Sequence, residues 1–247
     1  MNIAELIIEV SKNAIMMQMK DGSMPPGHNG PYNDNETPVR NTSHWLITFA
    51  KSYELTKNNI FLNAAQKAAS YLVSDRARPF NFSFFHRKDS PLDSCNGLIG
   101  QAWTMEALAV ASTILNDNKY SDLAEEVFLQ HNFNYDYGLW NRLEIDGGIK
   151  SIDPTFNHQL WFAAASYKLN KCKNITRFIL DHRNMSLSKK GRINVGEFIE
   201  LCQFSNVGYY INHDPIGQKN DFITSPEISQ MFGEIIGAYL INFWEKN

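Results

Sequence analysis

Three acidic residues stand at similar distances ahead of three tryptophans. Glu36 (with Asp34 close by), Asp93 and Asp153 precede Trp45, Trp103 and Trp161 by 9, 10 and 8 residues (45 − 36, 103 − 93, 161 − 153). Two carboxylates on opposite sides of a sugar are the equipment of glycoside hydrolysis. One protonates the leaving oxygen and the other activates water or attacks. On this reading Asp153 is the general acid/base, and Asp93, 60 residues earlier (153 − 93), is its partner. An acid just ahead of a helix is equally suited to holding an orphan backbone amide, and that structural role competes with the chemical one.

Other side chains supply the rest of such a site. His158, three residues before Trp161, can move a proton, and His44, next to Trp45, can donate to a hydroxyl or a carboxylate. Arg40 and Arg142 can take a uronate carboxylate through two hydrogen bonds, or pair with Asp34 and Glu144. Asn96, Gln101 and Asn157 add hydrogen-bonding groups at the starts of apolar helices. Tyr32, Tyr137 and Trp140 fall in loops, where a ring can stack on a sugar face; Trp45, Trp103 and Trp161 fall on helices, where core packing competes with stacking.

Composition narrows the classes of partner. A net charge of −3, from 23 basic and 26 acidic residues, makes no electrostatic case for nucleic acid or an anionic membrane. Aromatic residues are 13% of the chain, an excess that lines sugar grooves or fills a bulky helical core. Cys95, Cys172 and Cys202 have neither metal spacing nor a disulfide framework, which fits a reducing compartment and no bound metal. Asn96-Gly97-Leu98-Ile99-Gly100 lacks the lysine and the preceding strand of a phosphate loop, and no base is designated for a Cys95 nucleophile. No cofactor is implied. Glu5, Glu9 and Lys12 interrupt the first apolar pattern, so no signal-peptide core is read there, and no apolar run reads as a membrane span. The expectation is a soluble, cytoplasmic protein whose partner is a glycan or oligosaccharide; a homo-oligomer is compatible with the sequence.

The elements that must position these residues repeat. The three tryptophans are spaced 58 and 58 apart (103 − 45, 161 − 103), each following a polar, turn-rich lead-in to an apolar helix. Helical spacing predicts helices over 2–19, 41–55, 60–73, 97–115, 120–131, 155–169 and 172–181, a further helical turn or two within 195–204, and a last helix over 225–244 that starts at Ser225-Pro226-Glu227. Asn41 or Thr42 is the expected N-cap of the second, and the aromatic alternation of residues 80–86 suggests a short strand. Connections alternate, short after the tryptophan-bearing helices and long before them. Helical hairpins connected this way put all their long loops on one face. Alanines at 102, 107, 109, 111 and 163–165 permit packing from both sides, so the apolar helices form an inner layer and the more polar ones an outer layer. The fold class expected is all-α: one (α/α) toroid over 1–247, or an open arc of about four to five helical hairpins.

The segments Gly30-Pro31-Tyr32, Glu36-Thr37-Pro38-Val39-Arg40-Asn41, His44-Trp45, Asn96–Trp103 and Phe156-Asn157-His158-Gln159-Leu160-Trp161 carry a resemblance. With the alternating layout over residues 2–181, the chain resembles the six-hairpin glycosidase-like superfamily, and in particular proteins of polysaccharide and glycan assembly gene clusters. The resemblance implies a sugar site at the mouth of a helical ring. In the unsaturated glucuronyl hydrolases of this superfamily, an aspartate pair on successive hairpins hydrates an unsaturated uronate, a precedent for Asp93 and Asp153. The zinc of the lanthionine-cyclase toroids would need a Cys-His pair that Cys95 lacks. The function implied is a glycoside hydrolase on an acidic sugar, with a lyase, an epimerase or a non-catalytic glycan-binding scaffold as alternatives on the same fold.

Overall fold

The computed structural model describes residues 2–27, 35–88, 93–134 and 139–169. Contacts divide the chain into two compact units, Met1–Leu180 and Asp181–Asn247. The architecture below is that of the described residues of the first. The helices expected over 172–181, 195–204 and 225–244 lie outside the described residues, as do Asp34, Tyr32 and Tyr137.

Among the described residues six helices follow the sequence pattern: α1 Ile3–Met17, α2 Val39–Thr56, α3 Asn59–Leu72, α4 Gly97–Leu115, α5 Lys119–Gln130 and α6 Phe156–Tyr167. Asn2 begins α1 with a capping box, its side chain accepting from the Glu5 amide while the Glu5 carboxylate accepts from the Asn2 amide, both at 2.9 Å. α2 starts earlier than expected. Pro38 is its N-cap, and Asn41, inside the first turn, donates to the Pro25 carbonyl at 2.8 Å to pin the preceding loop.

The tryptophan-bearing helices α2, α4 and α6 lie side by side, with α4 in the middle. α3 packs behind α2 and α4, α5 behind α4, and α1 against α2 and α3. This is the expected inner and outer layering of an (α/α) arc. Small residues allow it: Ala102, Ala107, Ala109 and Ala111 on α4 and Ala163 and Ala165 on α6 are buried, while Ala164 faces out. Phe49, Phe61, Phe84 and Phe162 fill the spaces between helices, each with 0–1% exposure and each stabilising the fold by about 1.5–3 kcal/mol. α4 is long and apolar enough to cross a membrane, contrary to the expectation of no such run. Its neighbours bury 12 of its 19 residues, the pattern of a central core helix.

The long loops gather on one side. Residues 80–86 are not a strand. Instead β1 (Asn35–Glu36) pairs antiparallel with β2 (Arg87–Lys88), tying the first long loop to the second. The third loop forms an antiparallel sheet of β3 (Phe133–Asn134), β4 (Leu139–Leu143) and β5 (Ile149–Ile152), with the Asp146-Gly147-Gly148 turn between the last two. It joins the second loop through Ser83 Oγ, which donates to the Leu143 carbonyl at 2.6 Å, and through the Ser94 amide, which donates to both Glu144 oxygens at 3.1 Å.

Candidate functional site

The start of α4 is the focus of the loop face. Gly97 opens the helix at φ +57°, after Asn96 at φ +56°. Asp93 Oδ1 accepts from the Gly97 amide at 3.1 Å, and Asp153 Oδ2 accepts from the Leu98 amide at 3.0 Å. The two carboxylates named from sequence therefore converge, as the repeat predicted, and both sit at the positive end of the central helix.

Convergence comes with occupation. Asp93 Oδ2 accepts from Arg142 at 3.2 Å. Asp153 Oδ1 accepts from the Thr155 amide at 3.1 Å, and His158 Nδ1 approaches its two oxygens at 3.2 and 3.0 Å. Asp93 is 6% exposed and Asp153 is 2% exposed. Burial pushes the Asp153 carboxyl up, but the hydrogen bonds from His158, Leu98 and Thr155, together with the His158 charge, outweigh it and hold the group below the usual carboxylate range. A carboxylate held that way is a poor proton donor at neutral pH. Its geometry suits a different role, in which it holds the His158 ring with Nδ1 as donor and leaves Nε2 as the basic atom.

One turn further along α6, Trp161 is 44% exposed and meets Trp103 edge to face, 6.5 Å between ring centres. Trp161 Nε1 donates to Glu106 Oε2 at 3.2 Å, and Lys168 reaches the other oxygen of Glu106. On the α2 side, the Arg40 guanidinium lies 5.0 Å from the Trp103 ring centre, and the His44 ring 5.2 Å from it. Desolvation and the Arg40 charge hold His44 below the ordinary histidine pKa, against the pull of Glu106 and Glu36. Glu36 is buried; its Oε1 accepts from Arg40 at 2.7 Å, while Oε2 has no hydrogen-bond partner. The structure thus brings Glu36, Arg40, His44, Trp103 and Trp161 into one strip along the inner helices, and Asp93, Asp153, His158, Asn96 and Arg142 into a second cluster at the α4 start. Asn96 accepts there from Arg87, and Arg142 also donates to Ser151 Oγ at 2.7 Å. Asn157 is exposed on the first turn of α6.

Three sequence candidates serve the scaffold instead. Trp45 packs on Phe49, 5.7 Å between rings, against the Ala14, Met24, Ala64 and Ala65 cluster. It occupies the same helical position as Trp103, six residues after its helix start, but it faces α1 and α3. Gln101 is fully buried and clamps the second loop, its amide nitrogen donating to the Phe84 and Cys95 carbonyls and its oxygen accepting from the Phe84 amide. Trp140 is 4% exposed and lies among Phe128, Phe133 and Phe162, because β4 turns it inward.

Sequence reasoning overlooked His86 and Glu106. His86 is fully buried beneath Trp103, 6.4 Å between ring centres, with Nε2 3.4 Å from Thr104 Oγ1 and Nδ1 without a partner. Burial, reinforced by the Arg87, Arg40 and His44 charges, drives its pKa down to about 3. Its position in an aromatic loop run gave no periodic signal. Glu106, three residues after Trp103, was legible as an (i, i+3) neighbour. Burial pushes the Cys95 thiol well above its ordinary pKa, the opposite of an activated nucleophile. Among the described residues, no three His, Cys, Asp or Glu side chains are grouped to hold a metal.

A solved structure shares this architecture, and curated sequences share parts of the chain. The chain is 51% identical over 164 residues to archaeal glycosylation protein Q of Haloferax volcanii, covering 66% of this chain and 44% of that protein. It thus spans less than half the length of that relative. A separate similarity, 43% identity over 67 residues, links 27% of this chain to 15% of the mitochondrial protein arginine methyltransferase NDUFAF7 of Rattus norvegicus. The fold matches cellobiose 2-epimerase from Spirochaeta thermophila with a TM-score of 0.53 at 17% identity, over 75% of this chain and 54% of that one. No family model matches the chain.

Proposed function

We propose that this chain, a homologue of archaeal glycosylation protein Q with the (α/α)-toroid fold of the six-hairpin glycosidase-like proteins, binds and processes an acidic sugar of a glycan assembly route. The observation that carries this reading is the Asp153–His158 pair standing one helical turn from the exposed Trp161. Trp161 and the edge of Trp103 offer a stacking surface for a sugar ring. Arg40 beside Trp103 is where a uronate carboxylate at the ring's edge would meet a guanidinium.

In this reading His158 Nε2 takes or gives the proton, and Asp153 fixes the tautomer and stabilises the charged ring. That favours proton transfer at a sugar carbon or hydroxyl, as in epimerisation or β-elimination. Hydrolysis by the Asp93 and Asp153 pair is the second reading. Its support is the convergence of both carboxylates on consecutive amides of α4. Its difficulty is that both oxygens of each already accept hydrogen bonds.

Isotope tracing separates the two. Oligosaccharides with and without an unsaturated uronate are incubated in D2O and in H2¹⁸O, with wild type and His158→Gln. Deuterium entering a sugar carbon without heavy oxygen from water, lost in His158→Gln, supports proton transfer. Heavy oxygen in the product, lost in Asp93→Asn as well, supports hydrolysis. Sugar binding with neither label supports a scaffold, and the absence of binding to any acidic glycan sinks the proposal.

A further inference from the structure

Glu106 stands one turn after Trp103 on α4, and its carboxylate reaches across to α6 with both oxygens. Oε2 accepts from the Trp161 indole Nε1 at 3.2 Å, and Oε1 accepts from Lys168. Trp161 lies within α6 and Lys168 ends it, seven residues on (168 − 161), so the two share one face of the helix two turns apart. One side chain of the central helix therefore ties down two points of its neighbour.

The tie matters because Trp161 is 44% exposed. A core indole is held by packing on every side, whereas much of this ring is open to solvent. Its edge-to-face contact with Trp103 and its N–H bond to Glu106 hold it across the space between α4 and α6. The bond is charge-assisted, and so stronger and more directional than one between neutral groups. Both oxygens of Glu106 are engaged, so it acts through the ring rather than on a sugar. A bare carboxylate beside the ring would repel an acidic ligand, and Lys168 offsets that charge.

We propose that Glu106 is a positioning residue that locks the Trp161 ring as a preformed stacking surface, with Lys168 as its countercharge. The proposal rests on the reading of Trp103 and Trp161 as a sugar platform. A ring fixed before binding loses no rotamer freedom when the ligand arrives, an advantage of about threefold to tenfold in affinity.

Fluorine-19 NMR of the full chain labelled with 5-fluorotryptophan tests this, paired with isothermal titration of an unsaturated uronate disaccharide. The Trp161 resonance is the one of five that Trp161→Phe removes. Wild type gives a single sharp Trp161 line. Glu106→Ala splits or broadens that line, leaves the circular dichroism spectrum unchanged and weakens the disaccharide about threefold to tenfold. Glu106→Gln, whose amide oxygen can still accept from the indole, restores both readouts. In the Trp161→Phe background Glu106→Ala weakens binding no further, since the bond it removes is already gone. A Trp161 line that ignores Glu106→Ala overturns the proposal. So does a Glu106→Gln protein whose line stays broad, or a Glu106→Ala protein that binds the disaccharide as tightly as wild type. If wild type binds no acidic disaccharide while Glu106→Ala still frees the ring, the positioning of Trp161 by Glu106 stands and it is the sugar reading that falls.

Discussion

Asp93 and Asp153, 60 residues apart in sequence (153 − 93), accept hydrogen bonds from consecutive amides of one helix, Gly97 and Leu98. Their job at the α4 start is therefore shared, and their substitutions should not add. Asp93→Asn leaves Arg142 without its ion pair, and Asp153→Asn leaves His158 without its orienting acceptor. Each is expected to cost about 1–3 kcal/mol in urea denaturation. The double variant should differ from the sum by at least about 0.5 kcal/mol. Strict additivity would mean that the two carboxylates do not cooperate at this terminus.

Trp161 and Trp140 make opposite predictions. Trp161 is 44% exposed, so Trp161→Ala should weaken glycan binding while changing stability by less than about 1 kcal/mol. Trp140 is 4% exposed among three phenylalanines, so Trp140→Ala should cost about 3–5 kcal/mol. Isothermal titration with an acidic oligosaccharide, paired with thermal denaturation, reads both. If Trp161→Ala unfolded the protein and left binding intact, the stacking surface would be misassigned.

The helical scaffold was legible because its signals are local. The start of α4 at Gly97 follows from the polar lead-in, and the tryptophan period exposes the repeat directly. The convergence of Asp93 and Asp153 was legible too, since repeats place equivalent residues equivalently. Core packing of Trp45 was among the sequence readings, but the roles of Gln101 and Trp140 were not legible. Each depends on what lies opposite, and that is set by loops whose register no periodicity encodes. The β4–β5 hairpin was signalled only by its Asp146-Gly147-Gly148 turn, since Leu139–Leu143 and Ile149–Ile152 are too short and too mixed to alternate cleanly. His86 was invisible for the same reason: its burial comes from Trp103 and Thr104 on a helix far along the chain.

Two buried imidazoles set a pH limit on the fold. Burial lowers His86 to about 3 and His131 to about 4, the latter despite its hydrogen bond to the Val127 carbonyl. Unfolded, both titrate near about 6.5. Between those values the unfolded chain binds protons that the native state refuses, so stability is fully present above about pH 6.5 and falls as pH drops below it. Each group contributes a slope of about 1.4 kcal/mol per pH unit. His131→Phe, beside Phe162, should remove about half of that slope between about pH 6 and pH 5, read from urea midpoints at constant m. A slope unchanged in this variant would mean that His131 is protonated in the native state.

Gly97 links the scaffold to the chemistry. Its φ of +57° is one that L side chains rarely adopt, and a Cβ there would lie 2.7 Å from Asp153 Oδ2 and 3.4 Å from His158 Nδ1. Gly97→Ala must therefore push the Asp153 carboxylate off the Leu98 amide or shift the start of α4. The backbone strain alone costs about 1 kcal/mol, and the displaced carboxylate adds about 1–3 kcal/mol. The more telling consequence concerns His158. In the wild type the Asp153 carboxylate, which can only accept, faces Nδ1 at 3.0 Å and so favours a ring proton there. Once that acceptor moves, nothing holds the proton on Nδ1, and the ring in Gly97→Ala should exchange between its two tautomers. Nitrogen-15 NMR of the His158 ring in both proteins reads which nitrogen carries the proton. A tautomer that ignores Gly97→Ala would show that the Asp153 contact does not control the ring, and the proton-transfer reading would lose its physical basis.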